Sequence, residues 1–229
     1  MENANLNIYD TLLSLPLFQG LGQASLAQVV GHTKFDFLRH SSGERVVPAY
    51  SSCDSLIFLI KGDLIATTYS DDRSYSLEEL EHAPFVIEPE RLFGLSQHYS
   101  RTYVAATDVD LLRISKGEVI TLATHFYEFR INLLNILTTQ NQRMLRQPWR
   151  VHPRSRREKI IRFFSDHCRR PAGHKVFHLG MQQLATDIGE SRLNVSRELH
   201  AMATEGLLSL TRGTIEIPAL ERLLFQSSK

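Results

Sequence analysis

Residues 181–200 read MQQLATDIGESRLNVSRELH and carry the clearest structural pattern in the chain. Apolar residues recur there at spacings of three and four, first around Leu184 and again around Val195, which predicts two short helices. Gly189 lies between them and favours the left-handed backbone of a tight turn. Ser191 follows as an N-cap for the second helix. The pattern therefore predicts a helix-turn-helix.

The second of these helices has an exposed polar side. Arginine can donate two hydrogen bonds to O6 and N7 of guanine, so arginine near the N-terminus of an exposed helix suits reading of the DNA major groove. The residues expected to contact DNA are Ser191, Arg192, Leu193, Asn194, Ser196 and Arg197. A pair of helices that contacts no nucleic acid is the alternative interpretation.

The sequence after this motif predicts a short hairpin. Leu207–Leu210 and Ile215–Ile217 are β-rich and flank the turn residues Arg212-Gly213-Thr214. Before the motif, residues 157–167 have the apolar spacing of a further helix. A helix, a helix-turn-helix and a hairpin together predict a winged helix-turn-helix DNA-binding domain over residues 151–229.

The net charge of +1 hides an uneven distribution along the chain. Residues 1–142 carry 10 Lys and Arg against 17 Asp and Glu, whereas residues 143–229 carry 16 against 8. The two parts therefore have net charges of −7 and +8. A basic part joined to an acidic part is expected when only one of them binds nucleic acid. An ordinary solvated surface is the alternative interpretation.

The N-terminal part alternates short β-rich runs with turn residues. Between residues 35 and 114 these runs include ERVVPAY, SLIFLIKGDLIATTY and DLLRIS, with Gly43 and Gly62 at expected turns. This spacing predicts a β-sandwich or barrel. With the helices that precede it, the barrel is expected to form a first domain over residues 1–124.

A long helix is predicted between the two domains. From Phe126 to Gln147, selected residues follow the alternating spacing of three and four that defines a heptad seam. The residues expected at a dimer interface are Phe126, Phe129, Leu133, Ile136 and Gln140. A helix packed only on its own domain is the alternative. Pro148 and Pro153 end the pattern, so residues 125–150 are expected to form a dimerisation helix and a hinge.

Other classes of protein are not expected from this sequence. It has no apolar run of about 20 residues, and its first ten residues do not resemble a signal peptide, so we expect a cytoplasmic protein without a membrane partner. Cys53 and Cys168 cannot supply the four thiolates usual for an iron–sulfur cluster. Because no metal-binding or catalytic motif is present, we expect neither a metal site nor an enzyme.

These features together resemble the cyclic-AMP receptor protein and fumarate–nitrate regulator (Crp/Fnr) superfamily of bacterial transcription regulators. The resemblance rests on the order of barrel, long helix and winged helix, on Ile60-Lys61-Gly62, and on Leu184-Ala185-x-x-Ile188-Gly189-x-Ser191-Arg192-x-x-Val195-Ser196-Arg197. It implies an α+β fold whose barrel is a double-stranded β-helix, or jelly roll, of the cyclic-nucleotide-binding type. It also implies homodimers that bind double-stranded promoter DNA, work with RNA polymerase and respond to a small effector in the barrel.

The resemblance also indicates where an effector would bind. Members that bind cyclic AMP carry a Gly-Glu-Leu-Gly-Leu turn followed by an Arg-Ser pair, where this chain has Arg91-Leu92-Phe93-Gly94-Leu95 and Arg101-Thr102. The residues expected around an effector are therefore Leu92, Phe93, Gly94, Arg101 and Thr102. Leucine cannot accept a hydrogen bond from a ribose hydroxyl, so cyclic AMP is not the expected effector. Glu88 and Glu90 leave a shifted alignment open.

The recognition helix departs from many relatives as well, since Leu193 stands where they carry Glu. Leucine suits contact with a thymine methyl group, and the DNA half-site is expected to differ from the usual one. A protein of another class remains the second hypothesis: a module that binds a small ligand and whose degenerate helix-turn-helix contacts protein. Salt-dependent binding to DNA distinguishes the two.

Overall fold

The computed structural model describes residues 2–226, and the chain divides into two compact units. The first unit holds the residues up to Ile65 together with Glu81–Arg146. The second holds Ala66–Leu80 together with the residues from Gln147 onward. The domain boundaries expected at residues 124 and 150 remain predictions. The segment Ala66–Leu80, which lies within the barrel sequence, belongs to the C-terminal unit.

The first unit contains two antiparallel β-sheets. Its strands are β1 (Asp36–His40), β2 (Arg45–Val47), β3 (Ser55–Lys61), β4 (Asp63–Tyr69), β5 (Ser76–His82), β6 (Phe85–Ile87), β7 (Thr102–Ala105) and β8 (Val109–Ser115), with the outer ends of β4 and β5 in Ala66–Leu80. One sheet has the order β1-β8-β3-β6, and the other contains β4-β7-β2. These two sheets form a β-sandwich, as the sequence predicted, and with the C-terminal helices they confirm the mixed α and β fold class.

The centre of this sandwich is the apolar strand β3. Leu56, Phe58 and Leu59 are fully buried, as expected for a short continuous apolar run that is covered on both faces. Gly62 ends the run with φ +87°, and a Cβ atom there would lie 2.4 Å from the carbonyl oxygen of Asp108. Only glycine fits this turn between β3 and β4.

Four helices accompany the sandwich: α1 (Glu2–Ser14), α2 (Gln23–His32), α3 (Lys116–His125) and α4 (Tyr127–Arg146). The first half of α4 packs on its own unit. The rings of Phe129 and Phe18 have centroids 5.2 Å apart, and the Asn132 side chain donates to the carbonyl oxygens of Leu17 and Gln19. From residue 141 to residue 146 every side chain of α4 is exposed.

The second unit is the predicted winged helix. Its elements are α5 (Arg156–His167), β9 (Lys175–His178), α6 (Met181–Asp187), α7 (Arg192–Thr204), β10 (Ser209–Thr211), β11 (Thr214–Ile217) and α8 (Leu220–Gln226). Strand β11 pairs with β10 to form the wing and with β9 on its other side. Strand β9 was not predicted from the sequence, because its partners β5 and β11 are distant along the chain. Within residues 2–226, no helix is long and apolar enough to cross a bilayer.

Candidate nucleic-acid interface

The turn between α6 and α7 has the geometry that the sequence predicts. Gly189 adopts φ +65°, and the Ser191 hydroxyl accepts a hydrogen bond from the Asn194 backbone N–H at 3.3 Å. Leu184, on α6, and Val195, on α7, are buried in the core. The cap and the packed inner face determine which side of α7 is exposed.

The exposed side of α7 carries most of the side chains expected to contact DNA. Arg192 and Arg197 are exposed, as is Leu193 with 59% of its surface accessible. Ser196 and Asn194 are half-buried at the edge of this side. Among the described residues, neither arginine forms an ion pair, so both guanidinium groups are available to an anionic partner. His200 lies one turn further along the same side and is exposed.

Cationic side chains of α5 hold acidic residues at both ends of α7. Arg157 donates two hydrogen bonds to the Glu205 carboxylate at the C-terminal end, one of them at 2.8 Å. At the N-terminal end, the Lys159 ammonium lies 2.7 Å from the Glu190 carboxylate, and Arg156 lies 3.6 Å from it. These hydrogen bonds hold the pKa values of both carboxyls below their ordinary values. Glu190 and Glu205 are therefore already paired within the protein.

These α5 contacts were missed by the sequence analysis. Arg157 and Glu205 are separated by 48 residues, and no local spacing shows that they meet. The wing adds a further basic residue that was not predicted as a site, Arg212, which is exposed beside Gly213 at the β10–β11 turn. Arginine in a wing is placed to reach a phosphate group. Its signal in the sequence is the basic residue at a predicted hairpin turn.

The expected effector residues differ in how far they are exposed. Leu92 is fully buried, Phe93 is half-buried with the Lys116 ammonium 5.1 Å from its ring centroid, and Gly94 is exposed. Arg101 is buried. The Thr102 hydroxyl accepts a hydrogen bond from the Ala49 backbone N–H at 3.2 Å. Any site built on these five residues remains a prediction.

A buried carboxylate next to them is better placed than Leu92 to receive hydrogen bonds. Glu88 is fully buried and has the left-handed φ of 34°. One oxygen accepts from the backbone N–H of Ser100 at 2.7 Å and from its hydroxyl at 3.0 Å, and the other accepts from the Tyr103 hydroxyl at 3.2 Å. Three donors inside the sandwich are thus already bound to the protein's own anion.

Two of the five residues predicted at the dimer interface are packed within their own chain. Phe129 and Leu133 are buried by their own chain, with 0% and 7% of their surfaces accessible, so neither has area left to bury against a second molecule. Phe126, Ile136 and Gln140 are half-buried around them. The sequence pattern detected the packed side of α4, because an apolar stripe has the same spacing whether it faces its own core or a partner.

A second stripe of α4 is open to solvent. Tyr127, Leu134 and Leu145 are 63%, 48% and 64% accessible. With the half-buried Ile131 and the exposed Thr138 and Asn141 between them, they are spaced by four and three residues in turn, which is the heptad spacing. We call these six residues the outer seam.

The cysteines take part in none of these sites. Burial raises the pKa of the Cys53 thiol, which keeps it protonated near neutral pH. Among the described residues, Cys53 and Cys168 form no disulfide bond. Within residues 2–226, no three His, Cys, Asp or Glu side chains are grouped as metal ligands.

Comparison with known proteins identifies the C-terminal unit. Residues 158–224 match the family described as the Crp-like helix-turn-helix domain. The chain carries a Crp-like DNA-binding domain. This match covers α6, the Gly189 turn and α7, so the Crp-like domain contains every residue that was expected to contact DNA. No curated protein matches the chain.

Solved structures share the fold over nearly the whole length. The catabolite activator protein of Thermus thermophilus is 20% identical, with a TM-score of 0.52 over 93% of this chain and 98% of that one. A transcriptional regulator of the Crp/Fnr family from Eubacterium rectale is 16% identical, with a TM-score of 0.54 over 94% and 99%. The Crp-like helix-turn-helix domain supports a DNA-binding transcription regulator, as the sequence predicted, and the solved structures show that the fold is shared beyond this domain.

Proposed function

We propose that this protein is a homodimeric transcription regulator that places α7 in the major groove of double-stranded promoter DNA. The observation that carries the proposal is the exposed side of α7, where Arg192 and Arg197 form no ion pair among the described residues. A capped helix with two available guanidinium groups in a Crp-like domain suits contact with guanine and phosphate.

Individual side chains have different roles in this proposal. Arg197 lies on the second turn of α7 and donates to O6 and N7 of a guanine. Leu193 contacts a thymine methyl group, and Ser196 donates to a base edge or phosphate beside it. Arg192 lies at the first turn, next to the Ser191 cap, and contacts a phosphate or a second base. Arg212 of the wing contacts the DNA backbone.

The outer seam is the proposed dimer interface. Parallel pairing of two α4 helices through Tyr127, Leu134 and Leu145 would cover apolar surface that one chain leaves in water. Asn141, in the same seam, favours one register, since a polar residue in a coiled-coil core discriminates between alignments. Two recognition helices related by this axis would bind inverted half-sites about 10 to 10.5 base pairs apart.

The sandwich is proposed to hold a small effector other than cyclic AMP. Leu92 is buried and cannot accept from a ribose hydroxyl. Glu88 occupies the Ser100 and Tyr103 donors, so these hydrogen-bond donors are not available to a phosphate. RNA polymerase is the proposed further partner once the dimer is bound to a promoter.

Binding of genomic DNA fragments at increasing salt concentration tests the proposed function. We expect selected fragments to contain an inverted repeat, and we expect the logarithm of the binding constant to fall linearly with the logarithm of salt concentration. The control is a shuffled fragment of equal length, which measures nonspecific binding. If selected and shuffled fragments bind equally at every salt concentration, the protein does not read sequence, and the hypothesis of a protein-binding helix-turn-helix is favoured.

A further inference from the structure

The C-terminal unit contains a strand that the chain supplies from far outside the winged helix. Strand β5 pairs with β9 in an antiparallel register that sets Ser76 opposite His178, Leu77 opposite Phe177 and Glu79 opposite Lys175. Strand β9 pairs with β11 on its other side. Without β5, β9 would be an edge strand with unpaired backbone groups. We call Ala66–Leu80, which carries this part of β5, the docking hairpin.

A buried ion pair lies within this strand pairing. The Lys175 ammonium is 2.8 Å from the Glu79 carboxylate, and their side chains are 3% and 0% accessible. The backbone N–H of Arg169 also donates to Glu79, at 3.2 and 3.3 Å to its two oxygens. Because buried charges are tolerated only when paired, a shift of β5 by one residue would leave both uncompensated. The ion pair therefore specifies one register for the docked strand.

Apolar contacts join the docking hairpin to helix α5. Leu77 is buried in the core of the C-terminal unit with Phe177. Phe177 in turn packs on Phe164 of α5, with ring centroids 4.8 Å apart. The Tyr75 hydroxyl lies 2.9 Å from Nε2 of His167, at the end of the same helix. The hairpin thus completes the core against which α5 is packed.

Helix α5 also determines how α7 is held. Its cations Lys159 and Arg157 bind Glu190 and Glu205 at the two ends of α7. A continuous set of contacts therefore runs from β5 through β9 and Phe177 to α5, and from α5 to the recognition helix.

We propose that the docking hairpin is a regulatory segment of the DNA-binding unit, and that its pairing with β9 keeps α5 and α7 in the arrangement that binds DNA. This inference rests on the proposed function. Release of the hairpin would expose the edge of β9 and loosen the core behind α5. Operator affinity would then fall in proportion to the undocked fraction, whereas base preference would not change, because the hairpin supplies none of the side chains assigned to the groove.

The test compares Glu79→Gln with the matched variant Glu78→Gln in the full-length protein. Glu79→Gln removes the buried negative charge that compensates Lys175, so we expect hydrogen exchange of the β9 amides to accelerate on the order of a hundredfold. If the docked fraction falls to about one tenth, the apparent Kd for a selected fragment rises about tenfold. Glu78 is the adjacent residue and forms a half-exposed ion pair with His178 at 3.1 Å. Glu78→Gln should change the exchange rate of the β9 amides and the apparent Kd each by less than about twofold.

A second variant covers the case in which Glu79→Gln unfolds the unit. The double variant Glu79→Leu, Lys175→Met replaces both charges by apolar groups of similar size, and we expect it to dock and to bind DNA within about threefold of the wild type. Unchanged β9 exchange in Glu79→Gln would refute the docked register. Faster exchange with unchanged operator affinity would refute the link to DNA binding. Failure of the wild type to prefer selected fragments would instead refute the proposed function, while the exchange comparison would still test docking.

Discussion

Replacing Arg197 by alanine removes one side chain from the exposed face of α7 without disturbing its packing. Arg197 is exposed and forms no ion pair among the described residues, and alanine is the best helix former. The free energy of unfolding of the variant should therefore lie within about 0.5 kcal/mol of the wild-type value. Any larger loss of DNA binding then reports on the contact with DNA.

The expected magnitude follows from the proposed contact with guanine. A bidentate arginine–guanine pair discriminates by about 1 to 3 kcal/mol, which corresponds to roughly 5- to 150-fold in Kd. The loss should be confined to one base pair of each half-site. At that position the four possible base pairs should bind the variant almost equally, while preferences elsewhere in the half-site persist.

Fluorescence anisotropy with a selected fragment and its single-base variants measures both quantities. Arg222→Ala is the matched control, because Arg222 is an exposed arginine on α8 in the same unit but is not on α7. The control should weaken binding little and should preserve every base preference. If Arg197→Ala kept the wild-type affinity and the preference at all positions, Arg197 would not read a base, and the orientation proposed for α7 would be wrong.

Three other predictions concern the rest of the chain. Leu134→Asp should convert the dimer to a monomer in sedimentation velocity, whereas Asn135→Asp, one residue outside the outer seam, should not; a dimer in both would reject the seam. The Asp72 carboxyl should titrate with a pKa of about 2 by NMR, because the Ser70 hydroxyl and the backbone and hydroxyl of Ser74 donate to it. Because the pKa of this carboxyl is depressed, its charged form stabilises the fold at pH values above the ordinary pKa of 3.8. This contribution should disappear as the pH falls from about 4 to 2. Ser74→Ala should raise the pKa of Asp72. Cyclic AMP should bind more weakly than micromolar in calorimetry, since Leu92 offers no acceptor for the ribose, and tight binding would contradict this.

Local signals were sufficient for the helix-turn-helix. Gly189 adopts the left-handed backbone, Ser191 caps α7, and the inward residues Val195 and Leu199 are buried as their spacing predicts. Each of these features depends on residues within one or two turns of each other, so each is visible in a short window of sequence. The β-rich run around Phe58 is likewise visible in a short window of sequence.

Features that depend on contacts between distant residues could not be predicted from the sequence. The spacing of Phe129 and Leu133 showed an apolar stripe on α4, but only the contact with Phe18 revealed that this stripe faces its own core. Glu79 looked like an ordinary acidic residue, and its role follows from Lys175, 96 positions away. Local periodicity and caps therefore predicted the helix-turn-helix, the wing hairpin and the β-rich character of the first unit. Which faces are covered and which charges are buried depends on residues that folding brings together from distant positions, so these features are visible only in the folded chain.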